Sequence, residues 1–234
     1  AIIIDNASGI LPFDISHAAF VIRNTYSNYP KGSVHIICVH SEPGNGARYL
    51  IVKARDQFFI GTDNGIFNLI LNSDPDEIIS IDAGGKTDEL EIFANAAAGL
   101  YSGRKPSQLG EPVSGITERM PLRATIDKDV IIGSIIFIDS YGNAISNITR
   151  EVFYRVVENR GFRISIQSNK NFTEQISQSY GDVAVGELLA RFNSLDLLEI
   201  SINGANVSEL LSIEIGSSLR VDSTDKAAPV NRLF

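Results

Sequence analysis

Nine consecutive residues, Asp139-Ser140-Tyr141-Gly142-Asn143-Ala144-Ile145-Ser146-Asn147, gather several chemical tools in one short stretch. Asp139 offers an anionic acceptor. Tyr141 offers a flat face on which a base can stack. Asn143 carries an amide whose donor and acceptor sides match the edge of an adenine. Gly142 lets the backbone turn sharply between them. Together they suit a nucleoside that carries positive charge. The same residues are strong turn formers and also suit a plain tight turn.

A second run, His40-Ser41-Glu42-Pro43-Gly44-Asn45-Gly46-Ala47-Arg48, puts an imidazole, a carboxylate and a guanidinium close together. His40 and Glu42 are two apart, so they project the same way if the preceding strand continues. Arg48 can pair with Glu42 and fix it. The alternative is a Gly-rich connecting loop with a surface ion pair. Neither run is a phosphate loop, because Gly44-Asn45-Gly46 lacks the Gly-Lys-Ser/Thr ending. A Gly-x-Ser-x-Gly elbow and a dinucleotide fingerprint are both missing. The histidines, His17, His35 and His40, form no metal-binding constellation, and His35 reads as a satisfied core residue inside a strand.

The elements that must position these runs follow from apolar periodicity. The first run comes directly after Val130 to Ile138, a long apolar segment that reads as a buried strand. The second comes after Val34 to Val39, another buried strand, and ligands favour the C-terminal ends of parallel strands. Ile2 to Ile4, Leu50 to Val52, Phe58 to Ile60 and Ile78 to Ile81 read as further strands. Ile15, Ala18, Ala19, Ile22 and Tyr26 lie on one helical face, as do Ile92, Phe93, Ala96, Ala97 and Leu100. Alternating strands and helices predict an N-terminal α/β domain, 1–127, on a mainly parallel sheet. Pro106, Gly110, Pro112, Gly115 and Pro121 break the pattern before the boundary.

The second half, 128–234, reads as an antiparallel β-rich, barrel-like domain. Its signals are Val130 to Ile138, Phe162 to Ile166, Leu197 to Ile202 and Leu219 to Val221, with a short helix at Glu151 to Asn159. Glu187 to Phe192 and Glu209 to Leu211 read as single helical turns, and Asp222 to Phe234 as a polar, mobile tail. The chain begins inside an apolar segment without Met, which points to sequence upstream of Ala1.

Composition narrows the classes. With 44% apolar and 21% charged residues, the 234-residue chain suits a globular protein with a real core. The net charge of -8, without a basic stretch, argues against nucleic acid. No segment approaches the about 18 apolar residues of a membrane span. Cys38 is the single cysteine, so no internal disulfide is possible, which suits a reducing, cytoplasmic compartment. Its apolar neighbours predict a buried small hydrophobe.

Read together, several segments resemble one family, the S-adenosylmethionine (SAM) hydroxide adenosyltransferases, relatives of the SAM-dependent fluorinases and chlorinases. The first half contributes Pro12-Phe13-Asp14-Ile15 with Ala18-Ala19-Phe20, Asp63-Asn64-Gly65-Ile66-Phe67, and Ile92-Phe93-Ala94-x-Ala96-Ala97. The second contributes Ile138-Asp139-Ser140-Tyr141-Gly142-Asn143, Ser179-Tyr180-Gly181-Asp182-Val183 with Gly186-Glu187, Asn193-Ser194, and Leu198-Glu199-Ile200-Ser201-Ile202-Asn203.

The resemblance implies two domains of the kinds predicted, a homotrimer, and ligand sites between the N-terminal domain of one subunit and the C-terminal domain of the next. It implies that Asp139 and Ser194 hold the methionine end of the ligand. Tyr141 would stack on adenine, Asn143 would bond its edge, and the backbone at Asn203 and Gly204 would complete those contacts. Phe13 would wall the ribose side, and Asn45 is a further ligand-binding candidate. The family's ribose-binding Asp lies on an early strand-turn that this chain lacks, which also points to missing upstream sequence.

The catalytic signals depart from the family's Asp-Pro-Gly-x-Gly-Thr-x-Arg. Here the stretch is Glu42-Pro43-Gly44-Asn45-Gly46-Ala47-Arg48, and Asp88 stands where the family has His. Glu42, Arg48, Asp88 and His40 are the catalytic candidates. The implied activity is hydrolysis of SAM to adenosine and L-methionine, with SAM as substrate and no cofactor or metal. The alternatives are a SAM- or adenosine-binding sensor without turnover and, last, a halogenase, since Arg48 to Asp63 leaves no room for the fluorinases' inserted loop.

Overall fold

Helix α1 (Ile15–Thr25) starts where Asp14 accepts a hydrogen bond from the His17 N–H at 2.9 Å, capping the first turn. The computed structural model describes residues 1–7, 9–42, 48–71, 73–85 and 88–227. The chain divides into two units, Ala1–Pro121 and Leu122–Phe234.

In the first unit, strands β1 (Val34–Ile37), β2 (Tyr49–Ala54), β3 (Gln57–Thr62), β4 (Glu77–Ile81) and β5 (Gly110–Pro112) form one sheet in the order β1-β3-β2-β4-β5. Helices α2 (Ile66–Ile70) and α3 (Glu89–Tyr101) complete it. The sheet is sandwiched. Leu50, Val52 and Phe59 pack with Ile15, Ala18 and Phe67 on one face, while Ile51, Ile60 and Ile79 meet Ile92, Phe93 and Ala96 on the other. Strands buried on both faces explain the continuous apolar runs.

The α/β expectation holds, but the sheet is mixed instead of mainly parallel. Only β1 and β3 run parallel; β3–β2, β2–β4 and β4–β5 are antiparallel. The reason is local. Two residues, Arg55 and Asp56, both at positive φ, join β2 to β3. So short a connection closes a hairpin and cannot cross over to a parallel neighbour. Ile2 to Ile4 is not a strand. Ile2 and Ile3 are 91% and 92% exposed, and the segment finds no ladder partner among the described residues.

The second unit adds β6 (Thr125–Asp127), β7 (Val130–Ile138), β8 (Ala144–Thr149), α4 (Arg150–Val157), β9 (Arg160–Ile166), β10 (Ser168–Thr173), β11 (Leu188–Phe192), β12 (Leu197–Ile202), α5 (Val207–Leu210) and β13 (Ser218–Ala227). The strand order is β10-β9-β13-β7-β8-β12-β11, with β6 also on β7, and every pair is antiparallel. A parallel bridge between Ile176 and Ala190 brings the chain after β10 back to β11, so the barrel nearly closes. Ile131, Ile135, Phe153, Leu198 and Leu219 lie in its core.

Two readings of this half are corrected. Leu188 to Phe192 is strand and not a helical turn, because it pairs with β12 residue by residue from Leu188–Ile202 to Phe192–Leu198. Asp222 to Ala227 is not tail but the end of β13, where Asp222, Ser223 and Thr224 pair with β9. Backbone pairing does not require apolar side chains. No helix among the described residues is long and apolar enough to cross a membrane.

Candidate functional site

The first unit carries a cleft of about 250 Å³ beyond the end of β1, lined by Phe13, Cys38, His40, Ser41, Glu42 and Glu89 among others. Strand β1 stops at Ile37, and His40 has a left-handed φ of 49°. The strand therefore does not carry His40 and Glu42 out together; the loop after it brings both to the cleft. The His40 ring sits edge-on to Phe13, centroids 5.5 Å apart. Ser41 is anchored by its carbonyl, which accepts the Thr62 hydroxyl. Its own hydroxyl donates to Glu89 Oε1 at 3.2 Å. Asn64 Nδ2 donates to the His40 carbonyl at 2.9 Å and to that of Val39 at 3.2 Å. The turn Asp63-Asn64-Gly65 thus braces the segment that holds the candidates.

Cys38 is exposed, which corrects the expectation of a buried hydrophobe. It stands beyond the last β1 residue, where the sheet no longer covers it. The surrounding protein, followed by the charge of Glu89, still pushes its thiol above the ordinary value. Tyr49 is pushed up as well, by burial first and then by Glu89, Asp88 and Glu42.

Arg48 and Asp88 have other partners. Arg48 Nη2 pairs with Asp63 Oδ2 at 2.8 Å and not with Glu42. Asp63 is the better partner because it is fixed: its side chain is 3% exposed, and its Oδ1 accepts the Thr117 N–H at 2.7 Å. Asp88 is the N-cap of α3, accepting the Leu90 N–H at 2.9 Å. Asn45 lies outside the described residues.

A larger cleft of about 590 Å³ lies by α3 and the ends of β4 and β5. None of the expected site residues lines it. Arg104 there bonds the Gln108 carbonyl, and Asp82 bonds the Gly84 N–H. The smaller cleft, with its convergent titratable groups, is the chemical candidate.

In the second unit the Asp139 to Asn143 turn is tightly wired. Asp139 Oδ1 accepts the N–H groups of Tyr141 and Asn143, and Oδ2 accepts Asn143 Nδ2, each at 2.9 Å. Asn143 is buried while Tyr141 is exposed. Gly142 has φ 80°, and a Cβ there would fall 1.8 Å from Asn206 Oδ1. Its carbonyl accepts the Ser208 N–H at 3.1 Å. The turn therefore packs on the segment after Asn203 and Gly204. Asn203 Nδ2 donates to the Val183 carbonyl at 2.8 Å, and Gly204 has φ 75°.

Ser194 lies elsewhere. Ala144 is opposite Ile200 and Thr149 opposite Leu197, so the Asp139 turn sits at the Ile202 end of β12. Ser194 lies past the other end, in the β11–β12 hairpin, about 20 Å away at ~3.3 Å per residue. Beside the turn is a group that sequence reasoning missed as chemistry. Glu199, 4% exposed, accepts hydroxyls from Tyr180 at 2.8 Å and Ser201 at 3.1 Å. Arg191 lies 4.7 Å over the Tyr180 ring. Burial, then the bond to Glu199, push the Tyr180 hydroxyl up, with Asp139 adding to the effect. A lone acid within Leu197 to Ile202 was the available signal. Glu89 was also missed: an Asp just before a helical stripe is a capping signature, which leaves the next residue for other work. Among the described residues no group of three or more His, Cys, Asp or Glu could hold a metal ion.

A model of the SAM hydroxide adenosyltransferase N-terminal domain matches residues 1–110, and one of the C-terminal domain matches residues 133–220. The chain belongs to the SAM hydroxide adenosyltransferase family. Named relatives of this adenosyltransferase family chain are the (R)-S-adenosyl-L-methionine hydrolases of Thermus thermophilus, 27% identical over 94% of this chain and 87% of the relative, and of Methanocaldococcus jannaschii, 25% identical over 91% and 80%. A Thermotoga maritima crystal structure described as an uncharacterized conserved protein shares the fold, with a TM-score of 0.82 at 24% identity over 95% of this chain and 89% of that one. The crystal structure of a conserved hypothetical protein from Thermus thermophilus aligns with a TM-score of 0.72 at 26% identity, over 93% and 86%. Of the two positions at which the sequence departs from the resemblance, Glu42 lines the cleft and Asp88 caps α3.

Proposed function

We propose that this chain is an enzyme that hydrolyses S-adenosyl-L-methionine to adenosine and L-methionine by attack of water at C5′. The observation that carries the reading is the Asp139–Asn143 turn, which pre-sets an amide beside an exposed aromatic ring. That arrangement suits an adenosyl group at little ordering cost. Membership of the family and the hydrolase relatives support it.

The chemistry asks little of the protein. A sulfonium leaves as a neutral thioether, so no general acid is needed. The site has to place a water in line with C5′ opposite sulfur, to accept its proton, and to limit competing solvent. Carboxylates at the cleft, Glu42 and Glu89, can accept a proton and also favour a cationic substrate.

A second reading is a binding protein without turnover. It is favoured by one observation: Asp88, at the position of the family's His, caps a helix. Incubation with SAM, following adenosine and methionine by chromatography, separates the two. Adenosine above the blank supports hydrolysis, and tight binding without product supports the sensor. A chloride-dependent 5′-chloro product would mean a halogenase. Both sulfonium epimers belong in the assay, since the relatives' name specifies (R). We also propose a cytoplasmic homotrimer that uses no cofactor; light scattering tests the assembly.

A further inference from the structure

We infer that Glu89 is the base that takes the proton from the attacking water, standing in for the missing family His one residue earlier in the chain. The inference rests on the hydrolase reading. Four facts lead to it. Asp88 bonds the Leu90 N–H of its own helix and does not line the cleft. Arg48 is engaged with Asp63. Glu89 is half-buried, lines the cleft, and is oriented by the Ser41 hydroxyl on one of its two oxygens. Ser41 is itself buried and tied to Thr62, so the orienting group is rigid.

The other cleft bases are worse placed. His40 packs against Phe13, and Glu42 is exposed, with no hydrogen bond or ion pair found for it among the described residues. Two neighbours register the Glu89 charge independently. Of the charges acting on Cys38 and on Tyr49, that of Glu89 is the leading one in both cases. Of these two, Cys38 shares the cleft lining with Glu89.

The step balances. The water oxygen bonds to C5′ as the C5′–S bond breaks, and that electron pair stays on sulfur, giving methionine. One water proton passes to Glu89 and then to solvent, and the other remains on the adenosine 5′-hydroxyl.

The single cysteine supplies a second readout. Glu89→Gln should lower kcat on SAM about a hundredfold or more, the usual worth of a general base, with a much smaller rise in KM from the lost charge. Glu89→Asp should recover part of it. Glu89→Gln should also speed alkylation of Cys38 by iodoacetamide near pH 8, because a charge that holds the thiol protonated has gone. The other titratable groups lining the cleft are His40 and Glu42, both from the loop after β1. Asp88→Asn should lower kcat far less. Wild-type kcat in Glu89→Gln, or unchanged alkylation, overturns the assignment of Glu89. Absence of adenosine from the wild type overturns the hydrolase reading, and the base with it.

Discussion

Asp139 holds Asn143 at two points: Oδ1 accepts its backbone N–H and Oδ2 accepts its side-chain Nδ2–H, both at 2.9 Å. The second bond fixes which end of the amide is nitrogen. Beyond it, the amide still has one N–H and its oxygen, the donor and acceptor that an adenine edge requires. Asn143→Ala should weaken adenosine binding by ~1–3 kcal/mol. Calorimetry with adenosine checks this, and unchanged affinity would place the base elsewhere.

Gly142→Ala should destabilise the second unit by about 2–4 kcal/mol, combining left-handed strain with overpacking. The new Cβ has no room beside Asn206. Urea denaturation reads the loss, and a wild-type midpoint would contradict it.

Asp63→Ala should cost about 2–3 kcal/mol, because it removes an almost buried carboxylate from both Arg48 and the Thr117 N–H. Arg48 is partly solvated, which keeps the figure below that of a fully buried pair. Denaturant titration of the variant against wild type gives the number.

Asp88→Ala should cost about 1 kcal/mol by uncapping α3, and Asp88→Asn much less, since Asn caps nearly as well. Equal melting temperatures for both variants would show that the cap is immaterial.

Stability should fall as the solution is acidified through the range below pH 6.5. Burial lowers the His35 pKa from 6.5, opposed by the bond to Gln57. The unfolded chain then binds more protons than the folded one in that window, so stability is complete above it and is lost as pH falls. His35→Phe keeps a ring against Phe59, which the imidazole stacks on at 5.0 Å, and should flatten this part of the pH dependence. Equal slopes for the two proteins would exclude His35 as its source.

The strong periodic segments were legible. The stripe from Ile15 to Tyr26 and that from Ile92 to Leu100 appear as α1 and α3 because their apolar spacing admits one face only. The Arg55-Asp56 turn was not read, since neither residue announces positive φ as Asn-Gly would, and with it went the direction of the sheet. Strand β10, Ser168–Thr173, is polar and exists through pairing with β9, which composition does not reveal. At the site, residue types were readable but their partners were not. Arg48 chose Asp63 over Glu42 because of burial, a tertiary property. Asp88 and Glu89 divided capping and cleft between them, which required the start of α3 to be known to the residue.

The near-closure at Ile176–Ala190 also bears on aggregation. It leaves the second unit little open ladder on which a foreign strand could dock. The first unit has an open sheet with two rims. One rim, β5, is only three residues long and ends in Pro112, which has no N–H to offer. The other, β1, has no described strand on its outer side, and Ile36 stands 47% exposed along it. If partly unfolded chains stick together by strand addition, β1 is where they begin, and a lysine in place of Ile36 is the change that would discourage them.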